Sequence, residues 1–252
     1  MSICNRLSHR VFFPLMSRLS RRFEAFDASD YFKGKSVVII GPNCDSPTEL
    51  APRVKAADIL VVVNKGHRSK NFCELRPLAR EVALFHCLDR SEETGGGDFG
   101  SLELRRKGFK AVFYPLCEDR FAWNIAEFHR RNAALLPLRR VGREAYADLK
   151  STIMDFTPNM GYAAIWTIAK GGCASLYVSG INFMRLSYHA GYHKHLSSHQ
   201  EAIALIERYG NHNPDLDLES FRTLVKRHNI QVDKSLADIL CKPTQFLFYQ
   251  QR

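Results

Sequence analysis

Four histidines stand close together at positions 189, 193, 195 and 199, in the stretch YHAGYHKHLSSHQEAI. Imidazole has an unperturbed pKa of about 6.5, so such a side chain can take or give a proton near neutral pH. His199 heads a stretch of helical spacing and is the first candidate for a general base, with His195 second. His189 and His193 are candidates for holding an anionic group of a donor or acceptor. A second set of residues lies upstream, in TPNMGYAAIWTIAKGG. Pro158 and Asn159 suit the start of a helix, with Asn159 as its cap, and Gly161 allows close approach to the backbone. The free N–H groups of such a helix start attract anions. A well-capped core helix uses the same residues, and spacing leaves both readings open.

Continuous apolar runs surround these residues and must position them. They are VVII after Lys35-Ser36, ILVVV at 59–63, VALF within 81–89, AVFY within 110–116, and LYV within ASLYVSGINF at 174–183. Runs of this kind suit parallel strands buried on both faces. Helical or loop segments separate them, so the predicted class is α/β, a single Rossmann-like open parallel sheet flanked by helices. RSEETGGGDFG at 90–100 reads as a flexible loop, and 123–149 as a helix followed by a basic loop bearing Arg139, Arg140 and Arg143. Those arginines suit either a clamp for acceptor phosphates or a solvated face. Further on, HQEAIALIERYG and LDLESFRTLVKRHN have helical spacing. Asp215 and Asp217 would supply the cap and a first-turn acid of the second helix, and IQVDKS a short edge strand. The expected organisation is a basic N-terminal segment, 1–33, and one domain over 34–252.

In an open α/β sheet, ligands sit beyond the carboxyl ends of the strands. Gly41 and Asn43, then Asn64, then Asp89, then Gly180 follow the apolar runs directly. Asn43 and Asn64 offer both donor and acceptor groups, whereas Asp89 suits either an acceptor contact or the cap of its own turn. The first turn reads GPNCDS, which is neither the dinucleotide fingerprint nor a P-loop.

Composition adds a compartment and a charge. With 252 residues, 45% hydrophobic and 25% charged, the chain can bury an ordinary core. Its net charge of +10 suits nucleic acid, an anionic membrane surface, an anionic substrate or plain solubility. Basic residues are not interleaved with aromatics along one element, which argues against nucleic acid. Seven cysteines with no C-x-x-C pair point to reduced thiols in a cytosol-like compartment and away from structural zinc. MSICNRLSHRVFFPLMSRLSRRFEAF is basic and amphipathic, too short in its apolar run to span a bilayer, and without a signal-peptide cleavage site. It suits a membrane interface or packing on its own domain.

Taken in order over about 35–240, these residues resemble the sialyltransferase superfamily, whose members use CMP-activated 2-keto sugar acids. VVIIGPNCDS and ILVVVNKGHR are similar to the two ends of its first motif, with Gly-Pro-Asn where that family has Gly-Asn. TPNMGYAAIWTIAKGGCASLYVSGINF resembles the second, with Ser-Gly-Ile-Asn-Phe in place of Tyr-Gly-Phe. YHAGYHKHLSSHQEAIALIERYG is similar to the histidine segment that follows. The resemblance implies a sialyltransferase-like variant of the fold. It implies CMP contacts from Gly41, Asn43, Asn64, Pro158, Asn159, Gly161 and Gly180, and a histidine base, His199 or His195. Donor or acceptor contacts would fall to Asp89, His189, His193, Arg139 and Arg140. With the basic, membrane-compatible N-terminus, it points to a bacterial lipopolysaccharide-core Kdo transferase, with CMP-Kdo as donor and an anionic glycolipid as acceptor. The place of action would be the cytoplasmic face of the inner membrane, with no metal or other cofactor and no nucleic acid. Two alternatives stay open: a sialyltransferase using CMP-sialic acid, and another nucleotide- or S-adenosylmethionine-binding Rossmann enzyme such as a methyltransferase.

Overall fold

The computed structural model describes residues 25–92, 96–118, 122–132, 136–186 and 212–243, with isolated positions between 198 and 208. Along the chain come β1 (Ala25–Phe26), α1 (Ala28–Phe32), β2 (Ser36–Ile40), α2 (Pro47–Ala56), β3 (Ile59–Val63), α3 (Lys70–Leu75) and β4 (Glu81–Phe85). They are followed by α4 (Ser101–Arg106), β5 (Phe109–Tyr114), α5 (Ala122–Asn132), β6 (Leu138–Val141), α6 (Arg143–Ser151), α7 (Met160–Lys170) and β7 (Ser175–Ser179). α8 (Pro214–Arg227), β8 (Ile230–Val232) and α9 (Lys234–Cys241) follow, and two short 3-10 helices, Asn64–Arg68 and Arg76–Leu78, flank α3.

All eight strands join one sheet in the order β1-β6-β5-β4-β3-β2-β7-β8, and every pair is parallel. The expected α/β class and open parallel sheet are therefore what the chain forms. β-Branched residues explain the centre: all five residues of β3 are buried, as a strand covered on both faces requires. α7 is likewise buried along nearly its whole length, from Met160 to Ala169, and carries Ala163, Trp166, Ile168 and Ala169 into the core as its spacing predicts. Ser46 and Glu49 form a reciprocal capping box that starts α2 directly after the first turn.

Three expectations need correction. The basic loop after α5 is in part a strand: Leu138–Val141 is β6, with Arg139 opposite Phe113 and Arg140 opposite Tyr114. The fold also begins before residue 34, since β1 pairs with β6 and Phe32 of α1 is wholly buried in the core. Finally, Asn213 rather than Asp215 caps α8, accepting from the backbone N–H groups of Asp215 and Leu216. The basic segment before residue 25 lies outside the described residues. Among the described residues no helix is long and apolar enough to cross a membrane.

The order places a switch point between β2 and β7. From β2 the chain builds outward through β3, β4, β5 and β6, then crosses back so that β7 pairs with the other side of β2. A crevice at the carboxyl ends of two such strands is where open α/β sheets take their ligands.

Candidate active site

At the switch point, the turns leaving β2 and β7 are bonded to each other. The Gly41 N–H donates to the Ser179 carbonyl at 2.7 Å, the Asn43 N–H to the Gly180 carbonyl at 3.3 Å, and the Asp45 N–H to Ser179 Oγ at 3.0 Å. The two glycines are required by this contact. A Cβ on Gly41 would stand 2.5 Å from the Gly180 carbonyl oxygen, and one on Gly180, at φ +77°, would fall on the Cys44 amide and 2.6 Å from the Asn43 carbonyl carbon. Both glycines are buried, so their space is filled by backbone, whereas Pro42, Asn43, Cys44 and Asp45 of this turn are half-buried.

α7 starts beside these turns. A Cβ on Gly161 would stand 3.2 Å from Ile181, the residue after Gly180. Asn159 is the expected cap, its Oδ1 accepting from the Tyr162 N–H at 2.9 Å. The sequence gives no hint of its second partner: its backbone N–H at 3.2 Å and its Nδ2 both donate to Oδ2 of Asp217, in the first turn of α8. The N–H groups of Met160 and Gly161, the first two of the helix, have no partner among the described residues.

Further buried acids tie down the rim. Asp233, the cap of α9, accepts from the Gly180 N–H at 2.6 Å and the Leu236 N–H at 2.7 Å. Arg185, on the chain leaving β7, pairs with Asp215, whose side chain has no exposed surface. Asp215-Leu216-Asp217 is thus a carboxylate pair whose members are engaged by separate protein partners. Burial pushes the Asp217 carboxyl up to about 8, against the pull of the two Asn159 donors. Asp45 is also raised, by burial first and then by the neighbouring Asp233. Among the described residues, no group of three or more His, Cys, Asp or Glu side chains is placed to hold a metal ion.

Beyond β3 and β4 the rim is a packed polar network. Asn64 adopts φ +48°, a conformation asparagine tolerates, and its Oδ1 accepts from the Cys87 N–H at 3.1 Å. Asp89 accepts from the Ser91 N–H at 2.9 Å and so caps its own turn. Beside it Leu88, Arg90, Phe99 and Phe128 line a small pocket. Arg139 is exposed on β6, whereas Arg140 is buried with its Nη2 3.8 Å from Cys117 Sγ. His189, His193, His195 and His199 lie outside the described residues.

His86 is a residue that sequence reasoning passed over, because it closes an apolar strand and looks like core. It is fully buried; the Leu88 N–H donates to its Nδ1 at 2.8 Å, so its Nε2 carries the proton and donates to the Gly96 carbonyl at 3.0 Å. Burial depresses its pKa to about 3. The unfolded chain therefore binds a proton that the folded chain refuses between about pH 6.5 and 3. Stability from His86 is complete above about pH 6.5 and is lost as pH falls toward 3, by at most about 1.4 kcal/mol per pH unit. Urea unfolding between pH 7.5 and 5 should show this slope, and His86→Asn should flatten it whatever its baseline stability. An unchanged slope in that variant would assign the acid sensitivity elsewhere.

The sheet and its crevice define a Rossmann-like α/β protein with its candidate site at the switch point, the place where this class takes nucleotides. No family model matches the sequence, and none of the curated proteins matches it. Among solved structures the chain is similar to the monofunctional α-2,3-sialyltransferase Cst-I from Campylobacter jejuni, at 13% identity and TM-score 0.49, over 82% of this chain and 78% of that one. It is also similar to the sialyltransferase CstII of Campylobacter jejuni in complex with the substrate analogue CMP-3FNeuAc, at 12% identity and TM-score 0.44, over 79% of each chain.

Proposed function

We propose that this chain is an inverting glycosyltransferase that moves a 2-keto sugar acid from its CMP donor to an anionic glycolipid acceptor. The observation that carries this reading is the meeting of the two sequence motifs, far apart in the chain, at one crevice: the 41–45 turn bonds directly to the 179–180 turn, with the 158–161 helix start against Ile181. In this reading Asn43 and Asn64 face the nucleoside, and the α7 start faces the donor phosphate, where N–H groups at a helix N-terminus favour an anion. His199 takes the proton of the acceptor hydroxyl as its oxygen bonds to the anomeric carbon. The bond from that carbon to the phosphate oxygen breaks on the opposite face, and CMP leaves as a phosphate monoester. The leaving group is already stabilised, so the step has no chemical need of a metal. His195 is the second choice of base; His189, His193, Asp89, Arg139 and Arg140 are the proposed donor and acceptor contacts.

Kdo is the proposed sugar and the lipopolysaccharide core the proposed acceptor. A net charge of +10 and the five arginines before Glu24 suit an anionic glycolipid at the cytoplasmic face of an inner membrane. Calorimetric titration of the full chain with CMP, against UMP, AMP and S-adenosylhomocysteine, tests the reading. Selective CMP binding that survives EDTA is expected, followed by faster transfer from CMP-Kdo than from CMP-sialic acid. Faster transfer from CMP-sialic acid would replace the sugar and keep the chemistry. Binding of S-adenosylhomocysteine instead would overturn the assignment in favour of a methyltransferase.

A further inference from the structure

Every polar group of Asn159 already has a protein partner. Its N–H and Nδ2 go to Asp217, its Oδ1 to the Tyr162 N–H, and its carbonyl to the Ala163 N–H at 2.9 Å. The groups that can meet a phosphate at this helix start are therefore the backbone N–H groups of Met160 and Gly161. Their direction follows from the Asn159 backbone, at φ −66° and ψ 154°. One carboxylate oxygen, reaching across 58 positions of sequence, takes both of the donors that fix that residue.

We propose that Asp217 is a positioning residue of the donor site, aiming the Met160 and Gly161 N–H groups at the nucleotide phosphate through its hold on Asn159; this rests on the transferase reading above. Two features make the hold specific. Asp217 has no exposed surface and its other oxygen, Oδ1, has no partner among the described residues, so its hydrogen bonding is directed to Asn159 alone. The packing of α7 on α8 has supports of its own: the Tyr162 and Ser220 hydroxyls are bonded, and Phe183, on the chain after β7, bridges the two helices with its ring 6.5 Å from that of Tyr162 and 5.1 Å from that of Phe221. Loss of Asp217 should therefore release the helix start while the helices stay packed.

The test is CMP titration of four full-length variants beside the wild type, with thermal melting of each. Asp217→Ala should weaken CMP binding by about tenfold or more, and Asp217→Asn, which keeps an acceptor for Asn159, by clearly less. Asn159→Asp sets two carboxyl groups against each other and should lose binding to a similar extent. Adding Asp217→Asn to it restores an amide–carboxyl pair in reversed order and should recover binding to within about threefold of wild type. A merely structural role would lower the melting temperature of Asp217→Ala and Asn159→Asp without that recovery. Wild-type affinity in Asp217→Ala, or no recovery in the double variant, overturns the proposal while leaving the transferase reading in place. Absence of CMP binding in the wild type overturns that reading and the proposal together.

Discussion

Replacing Gly180 by alanine is expected to cost on the order of 3–5 kcal/mol, the largest effect of any added methyl group among the described glycines. Two causes combine. The residue sits at φ +77°, a conformation that costs an L side chain about 1 kcal/mol or more. The new Cβ would also fall on the Cys44 amide, and backbone in a bonded turn has nowhere to retreat. Gly34 is the internal control: at φ +71° it has the same conformation but nothing within 4 Å of the added carbon. Gly34→Ala should therefore cost only the conformational part, about 1 kcal/mol. At this chain length the difference corresponds to roughly 5–15 °C in thermal midpoint, readable by circular dichroism. Equal midpoints for the two variants would show that the β2 and β7 turns can separate without harm, and the crevice would lose its floor.

His199→Ala is the second large effect, and it falls on rate. A positioned general base is worth about 10²–10⁴ in rate, so transfer should drop by that factor while CMP affinity stays near the wild-type value. The same substitution should remove the limb of the pH–rate profile that follows an unprotonated imidazole, near pH 6.5 unless the site shifts it. Activity that survives would move the base to His195, where the same experiment repeats. Loss of CMP affinity in step with rate would instead make His199 a donor contact.

Much of the fold was legible because burial writes itself plainly into parallel strands. Ile59–Val63 and Val37–Ile40 could be read as strands buried on both faces, and they are. β6 escaped because Leu138–Val141 contains Arg139 and Arg140; one arginine is exposed and the other buried, so the apolar signal is broken. The cap at Asn159 was legible from local sequence, since its partner Tyr162 is three residues away. Its hold by Asp217 was not, because a hydrogen bond across 58 positions leaves no local pattern. Asp215 looked like a cap for the same reason: first-turn acids and caps share a composition, and only the fold shows Arg185 claiming that carboxylate.

The place of β2 has a consequence for how the protein is made. β2 leaves the ribosome before either of its neighbours in the sheet; β3 can pair with it as it follows, and β4 with β3 in turn. Its other side waits for β7, which is synthesised only after α7. Throughout that interval the nascent chain carries Val37–Ile40 with one row of backbone donors and acceptors unpaired, on the most apolar strand pair of the sheet. At about 5–20 residues per second the wait lasts many seconds, ample time for a chaperone or a neighbouring chain to take the edge. β1 waits in the same way for β6 at the far side. The switch point that makes a crevice for ligand in the finished protein is, on the ribosome, a seam that closes late.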